Sequence, residues 1–408
     1  MTRLPRRDLL LGVGSSIGAM AVEKTLPASE SVELASQQSQ SFRDKSPKAK
    51  AVIMLVMEGG PSQLDTFDPK PVLRRLHGVE ANGSMTGGMA QSFAAKPSAA
   101  KRYYVGSPFR SRKTGQSGIE MSDPFVHLAE DQVADEICLF RGCQAESEFH
   151  CDAMLDLTAP VCHLGNVSFG ARMAHALDAR QTESPPYVVM FDRAPPQAGI
   201  ANWTSGSLPS EFHGATETSL AIRTVPIAAF DLHRESASTQ AMYGIGHAPT
   251  DSFGRKCLVA RRLVEHGTRF VQLFCGGWDS HNALFRGHAS RIRSIDQPFA
   301  ALIRDLKKRG MLDQTLVFCA GEFGRTPDSQ GGGKGDHLGR DHNPNAMSMW
   351  FAGGGFRRGV TVGATDELGA RAVECVRPLG DVHTTIEHTI GLDVGVMRQG
   401  NVISELLA

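Results

Sequence analysis

Three segments of this chain, Ala51–Met57 (AVIMLVM), Phe270–Cys275 (FVQLFC) and Leu316–Ala320 (LVFCA), are short apolar runs in which polar and apolar positions do not alternate. A strand with one wet face shows a period of two, so runs of this kind need cover on both faces. A sheet sandwiched between helix layers supplies that cover. Helical spacing is found between the runs, at Asp123–Asp131, Asn166–Leu177, Asp251–His266, Asp296–Arg309 and His383–Ile390. In the third of these, Phe253, Cys257, Leu258, Val259, Leu263 and Val264 form an apolar stripe. The fourth closes on Lys307, Lys308 and Arg309 before Gly310, where cations suit the helix dipole. Further strands are expected at Glu136–Arg141, Tyr187–Phe191 and Trp350–Ala352. Strand and helix in alternation predict an α/β fold with a mostly parallel sheet. The 408 residues suffice for one large domain or two smaller ones.

Each of the three runs ends in a burst of glycines and chemically able side chains. After Met57 come Glu58-Gly59-Gly60-Pro61-Ser62 and Asp65-Thr66-Phe67-Asp68. After Cys275 comes Trp278-Asp279-Ser280-His281, and after Ala320 come Glu322-Phe323-Gly324-Arg325 and Gly339-Arg340-Asp341-His342-Asn343-Pro344. Ligands of open α/β sheets gather at the carboxyl ends of strands, so these bursts are expected to converge. Asp279 and His281 are two apart and, on an extended loop, face one way, as two ligands of zinc or manganese would. Pro344 favours extended geometry in the residue before it, which presents Asp341 and His342 rather than winding them into a helix. Asp65, Glu322 and His342 are further candidates for ligand or base, and Ser62 for nucleophile. Arg325 is placed either to clamp a phosphate or sulfate oxygen or to pair with Glu322. Glu146-Ser147-Glu148-Phe149-His150 follows a fourth strand, with Ser147 a possible nucleophile and His150 its base or a ligand. His383 and His388, four apart, suit a metal or simply the core.

The N-terminus carries Arg3, Arg6 and Arg7, then an apolar run from Leu9 to Val22 containing Ala19-Met20-Ala21. This is the order of a signal peptide, expected over residues 1–22, and the run is short for a spanning helix. Arg6-Arg7 resembles a twin-arginine export signal; an ordinary export signal or an uncleaved anchor also has this order. Export to the periplasm or the exterior is expected, with no stable membrane span after signal removal. Residues 23–48 are polar and read as a flexible linker, and the domain follows from 49 to 408, with an irregular Gly/Ser/Lys-rich insertion near 80–118. The formal net charge is zero, which gives no reason to expect nucleic acid as a partner. Of eight cysteines, Cys138, Cys275 and Cys319 lie in strand-like runs and read as buried thiols, whereas Cys143, Cys151 and Cys162 are candidates for a disulfide.

Gly59-Gly60-Pro61-Ser62 with Asp65 to Pro71, Ala260 to Glu265, Trp278 to His281, Gly321 to Pro327, Gly339 to Pro344 and Ala364 to Gly369 together resemble an exported bacterial family, domain of unknown function 1501. That family is similar to the alkaline phosphatase and sulfatase superfamily. The resemblance implies a three-layer α/β/α sandwich that cleaves phosphate or sulfate esters with a divalent metal, zinc, manganese or calcium. It implies a small anionic ester or a sulfated or phosphorylated glycan as substrate. Asp279 and His281 match an Asp and His ligand pair, His342 matches a late histidine ligand, and Glu322 stands where an Asp–His pair follows a strand. Phe323 stands where the superfamily has a second ligand histidine, and phenylalanine cannot bind a metal. The C-x-P-S-R sulfatase signature is missing. These departures leave room for a different class of protein, a non-catalytic envelope or polysaccharide-binding protein that retains the fold.

Overall fold

The computed structural model describes residues 47–81, 101–160, 167–177, 184–221, 228–330, 338–392 and 400–408, all within the unit Arg43–Ala408. The expected signal, residues 23–46 of the linker, residues 82–100 of the insertion and Cys162 lie outside them. Among the described residues, nine strands form the main sheet: β1 (Ala51–Met57), β2 (Ile137–Gln144), β3 (Tyr187–Phe191), β4 (Ala215–Thr216), β5 (Phe270–Cys275), β6 (Thr315–Ala320), β7 (Met347–Ala352), β8 (Val360–Val362) and β9 (Arg377–Pro378). Their spatial order is β8-β2-β7-β6-β1-β5-β3-β4, with β9 also paired to β2. Every pairing is parallel except those of β7, which runs antiparallel to both β2 and β6.

The three apolar runs are the sheet's centre: β1 lies between β5 and β6, with Leu55 in register with both Leu273 and Cys319. Side chains alternate between the two faces as the pleat requires. Ile53, Leu55 and Met57 enter one core and Val52, Met54 and Val56 the other. The first core is closed by α3 (Asp251–Glu265) and α4 (Leu284–Lys308) through residues such as Leu258, Leu263, Ile295 and Leu302. The second is closed by α1 (His150–Thr158), α2 (Phe169–Ala176) and α5 (Leu379–Thr389) through Met154, Phe169 and Ile386. This is a three-layer α/β/α sandwich with a mostly parallel sheet.

Several local expectations give way. Asp123–Glu130 forms turns and only Asp131–Ala134 is helical. Buried Asp296 accepts the backbone N–H groups of Val126, His127 and Leu128, which satisfies them without a helix. The helix expected to start at Asp296 begins at Leu284 and carries Pro298 inside it. The segment near 80–118 is not wholly irregular: Arg102–Tyr104 pairs with Asp328–Gln330, and Ser111–Thr114 with Ile119–Ser122. Cys143 and Cys151 are free thiols, the first fully buried with its pKa pushed up by burial and the second exposed. No helix among the described residues is long and apolar enough to cross a membrane.

Candidate metal centre

The polar bursts converge because of strand direction. β1, β5 and β6 are parallel, so Glu58, Asp279 and Glu322 leave the same edge of the sheet. β7 is antiparallel, so the segment that precedes it, with Asp341 and His342, lies at that edge too. The two halves of the stretch after β6 pair with one another as a short antiparallel ribbon, Gly324–Arg325 against His342–Asn343. Two glycines let these loops approach. A Cβ on Gly59 (φ +114°) would stand 2.2 Å from the Asp279 nitrogen, and one on Gly339 would stand 1.8 Å from the His281 carbonyl oxygen. Trp278 and Ser280 are buried while Asp279 and His281 are exposed, the alternation expected of an extended loop.

Three imidazoles surround the Asp279 carboxylate. His150 Nε2 is 3.4 Å from Asp279 Oδ2, and the Nε2 atoms of His281 and His342 are 3.4 and 3.6 Å from Oδ1. His150, Asp279 and His342 offer one ligand atom each, all within 4.8 Å of one another. On each ring the other nitrogen faces an acceptor. His150 Nδ1 is 2.7 Å from Glu322 Oε1, His281 Nδ1 is 3.1 Å from Asp341 Oδ1, and His342 Nδ1 is 2.7 Å from the Glu148 carbonyl oxygen. An acceptor at Nδ1 holds the proton there and turns the Nε2 lone pair inward, as in metal-binding histidines. The consequence is an electron-rich point. His281 Nε2 and His342 Nε2 lie 2.9 Å apart, and buried His150 Nε2 has no hydrogen-bond partner. Lone pairs facing each other at that distance need a proton or a cation between them.

The electrostatics of the cluster run in both directions, an imidazole pushed up and two carboxylates held down. Burial opposes charge on His150, yet Asp279 and Glu322 outweigh it and push its pKa up to about 9. Burial would raise the Asp279 pKa, but His150, His342 and Arg325 hold it far below the usual carboxylate range. Asp341 is lowered to about 2, where His281 and Arg102 outweigh burial. Glu58 moves the other way, raised by burial and by Glu322 and Asp192. A divalent cation fits this donor set: imidazole nitrogens and a carboxylate suit zinc, and manganese accepts them too. The set is poor for calcium, which takes oxygen ligands.

Other sequence candidates take different positions. Glu322 is fully buried and spends both oxygens on the Gly59 N–H and His150, so it orients a ring rather than standing free as ligand or base. Arg325 is also fully buried: it donates to the carbonyls of Gly59, Gly60 and Arg340 and to Asp279 Oδ1 at 2.8 Å. It therefore does not clamp a substrate oxygen; it holds the two loops together and keeps Asp279 ionised. Asp65 does not join the metal-binding group. Its Oδ2 accepts from Arg340 Nε at 2.8 Å and from the Ser62 hydroxyl at 2.5 Å, all three residues being buried. The same Asp65 bond occupies Ser62, whose own N–H donates to His288 Nε2 at 2.9 Å. Ser62 is thus shut off from any substrate. The Ser147 hydroxyl accepts from the Phe149 N–H at 3.1 Å, a turn ahead of α1. Asp68 is buried between Lys70 and Arg141. His383 is a core residue, its Nε2 3.0 Å from the Leu157 carbonyl.

His150 brings a further imidazole to the group from the first turn of α1. Phe323 packs against the rings of His150 and His342 at 4.9 and 4.4 Å between centroids. The available signal for His150 was the position of Ser147-Glu148-Phe149-His150 at another strand end. Beside the donor set a cavity of about 210 Å³ is lined by Glu58, His150, Arg193, Gln197, Asp279 and Glu322, among others.

The chain matches the family model "Protein of unknown function (DUF1501)" over residues 49–223 and 215–401. No curated protein matches it. Among solved structures it is similar to a protein in the alkaline phosphatase superfamily from Vibrio parahaemolyticus, with 11% identity over 90% of this chain and 72% of that one and a TM-score of 0.42. It is also similar to the PsFucS1 sulfatase from Pseudoalteromonas sp., with 11% identity, coverage of 94% and 77%, and a TM-score of 0.40. A third is the C-terminal periplasmic domain of EcEptC from Escherichia coli in complex with zinc, with 7% identity, coverage of 86% and 85%, and a TM-score of 0.40.

Proposed function

The chain belongs to the DUF1501 family of proteins of unknown function, and from that premise we propose that it is a metal-dependent hydrolase of phosphate or sulfate esters. The observation that carries the reading is the inward-facing donor set, with three Nε2 atoms around Asp279 and every Nδ1 held by an acceptor. His150, Asp279 and His342 would hold the ion, with His281 beside them. When bound, the ion would polarise an ester oxygen or lower the pKa of a water. The chain's own groups do the rest. Glu322, Asp341 and the Glu148 carbonyl fix the rings, and buried Arg325 keeps Asp279 in its charged form. His281, exposed and held by Asp341, stands beside the ion position as a further candidate ligand. The closed environment of Ser62 points to water rather than that hydroxyl as the attacking group.

The experiment is metal analysis of purified protein together with a panel of aryl phosphates and sulfates. One equivalent of zinc or manganese, and turnover lost on chelation and in His342→Ala, are expected. A wild-type protein that neither contains nor takes up metal would sink the proposal. Export belongs to the same proposal and is supported by Arg6-Arg7 ahead of the apolar run. A reporter fused to residues 1–48 should stay inside the cell once both arginines become lysine.

A further inference from the structure

With Arg325 buried beneath the loops, the cavity has a different arginine. We infer that Arg193, at the end of β3, receives the anionic head of the substrate, a tetrahedral oxyanion monoester. The inference rests on the metal reading above, because Glu58, Asp279 and Glu322 line the same cavity and would repel an anion unless a cation offsets them.

Arg193 is the one Lys or Arg lining this cavity among the described residues, and its side chain is exposed. No hydrogen bond or ion pair engages its guanidinium. This contrasts with the arginines around it. Arg291 is paired with Asp192 at 2.9 Å, and Arg325 has every nitrogen committed. Its backbone is nevertheless fixed. Asp192, one residue earlier, accepts the Gly276 N–H at 2.9 Å and the Arg291 guanidinium, which ties the end of β3 to the end of β5. Gly276 and Gly277 leave the ground beneath the fork bare. A Cβ on Gly277 (φ +93°) would lie 3.5 Å from both Cζ and Nη1 of Arg193, so the guanidinium rests on backbone that carries no side chain. A planar fork fixed at its root and unpaired at its tip suits two oxygens of a phosphate or sulfate group. At about 30 Å³ per water the cavity holds roughly seven waters. That is room enough for one oxyanion head.

The test is calorimetric titration of inorganic phosphate, and separately of sulfate, into zinc-loaded protein, comparing wild type with Arg193→Ala and Arg193→Lys. Removing a charge-assisted contact should weaken the preferred oxyanion by roughly 10- to 100-fold in Arg193→Ala. Arg193→Lys should fall between, and zinc affinity should be equal in all three. Unchanged oxyanion affinity in Arg193→Ala with zinc still bound overturns the inference. So does a zinc-loaded wild type that binds neither ion. A wild type that takes up neither zinc nor manganese overturns the metal reading and this inference with it. The two failures are therefore told apart by the metal-uptake measurement.

Discussion

Two polar clusters lie at the same edge of the sheet, and they are built on opposite principles. In the deeper one, Ser62, Asp65 and Arg340 are wholly buried, and Arg340 has further acceptors in the carbonyls of Thr326 and Val105. Its charges offset each other, and burial's tendency to raise the Asp65 pKa is outweighed by Arg340. In the shallower one, Asp279 is 47% exposed and three imidazoles turn nitrogens towards it, two of them 2.9 Å from one another. The first balances its charges without a ligand, although Asp65 Oδ1 is left without a hydrogen-bond partner; in the second, imidazole nitrogens face one another with room for a cation between them. The difference teaches that residue type at a strand end does not separate scaffold from chemistry, whereas burial and charge pairing do.

The largest effect that would break the comparison is on the deep cluster. Removing one partner of a buried ion pair leaves the other uncompensated, so Asp65→Ala should destabilise the fold by about 3–5 kcal/mol. Chemical denaturation of the metal-free protein measures this. A loss under about 1 kcal/mol, the range of exposed pairs, would show that the deep cluster is not a scaffold. The shallow cluster should respond in the other currency. His150→Ala should weaken zinc binding by at least about 100-fold, beyond the 10–100-fold typical of groups that only orient a ligand. Competition against a chromophoric chelator reads it, and an unchanged affinity would remove His150 from the ligand set.

Much of the fold was legible because it depends on pattern. Ala51–Met57, Phe270–Cys275 and Leu316–Ala320 lack alternation, and they form the three central strands covered on both faces. Asp279, His281 and His342 were legible as a group because spacing and strand ends are local properties. Less legible was anything set by long-range pairing. That Asp65 would meet Arg340, 275 residues away, depends on how two loops cross, and no local signal announces it. Glu322 and Arg325 were assigned chemistry because they follow a strand, yet their neighbours bury them completely. The helical reading of Asp123–Asp131 failed for the same reason, since Asp296 lies on a distant helix.

A smaller effect sharpens the comparison through the groups behind the rings. Asp341 holds His281 and is itself held by Arg102 at 2.7 Å, and Arg102 is anchored by Asp328 at 2.8 Å. Asp341→Asn keeps an acceptor in place but removes the charge. It should lower zinc affinity by about tenfold, the low end for such groups, with little change in the melting temperature of the metal-free protein. Equal affinity in the variant and wild type would leave His281 outside the site.

The smallest effect per step is on pH, and its sign is fixed by His150. Its pKa is raised from 6.5 to about 9, so in the metal-free protein a proton occupies the nitrogen that a metal would take. Metal must displace that proton, so zinc affinity should climb as pH rises towards 9, by at most about tenfold per unit. The metal-free fold moves oppositely. A raised histidine pKa contributes stability that is complete below about 6.5 and is lost as pH rises through about 9. Between those values the melting temperature without metal should fall while zinc affinity rises. In His150→Gln the melting curve should lose that slope. The Asp65–Arg340 cluster contributes nothing in this window, because its depressed carboxylate pKa places its own transition on the acid side. A melting temperature flat from pH 6.5 to 9 in the wild type would mean that the shallow cluster is as internally balanced as the deep one.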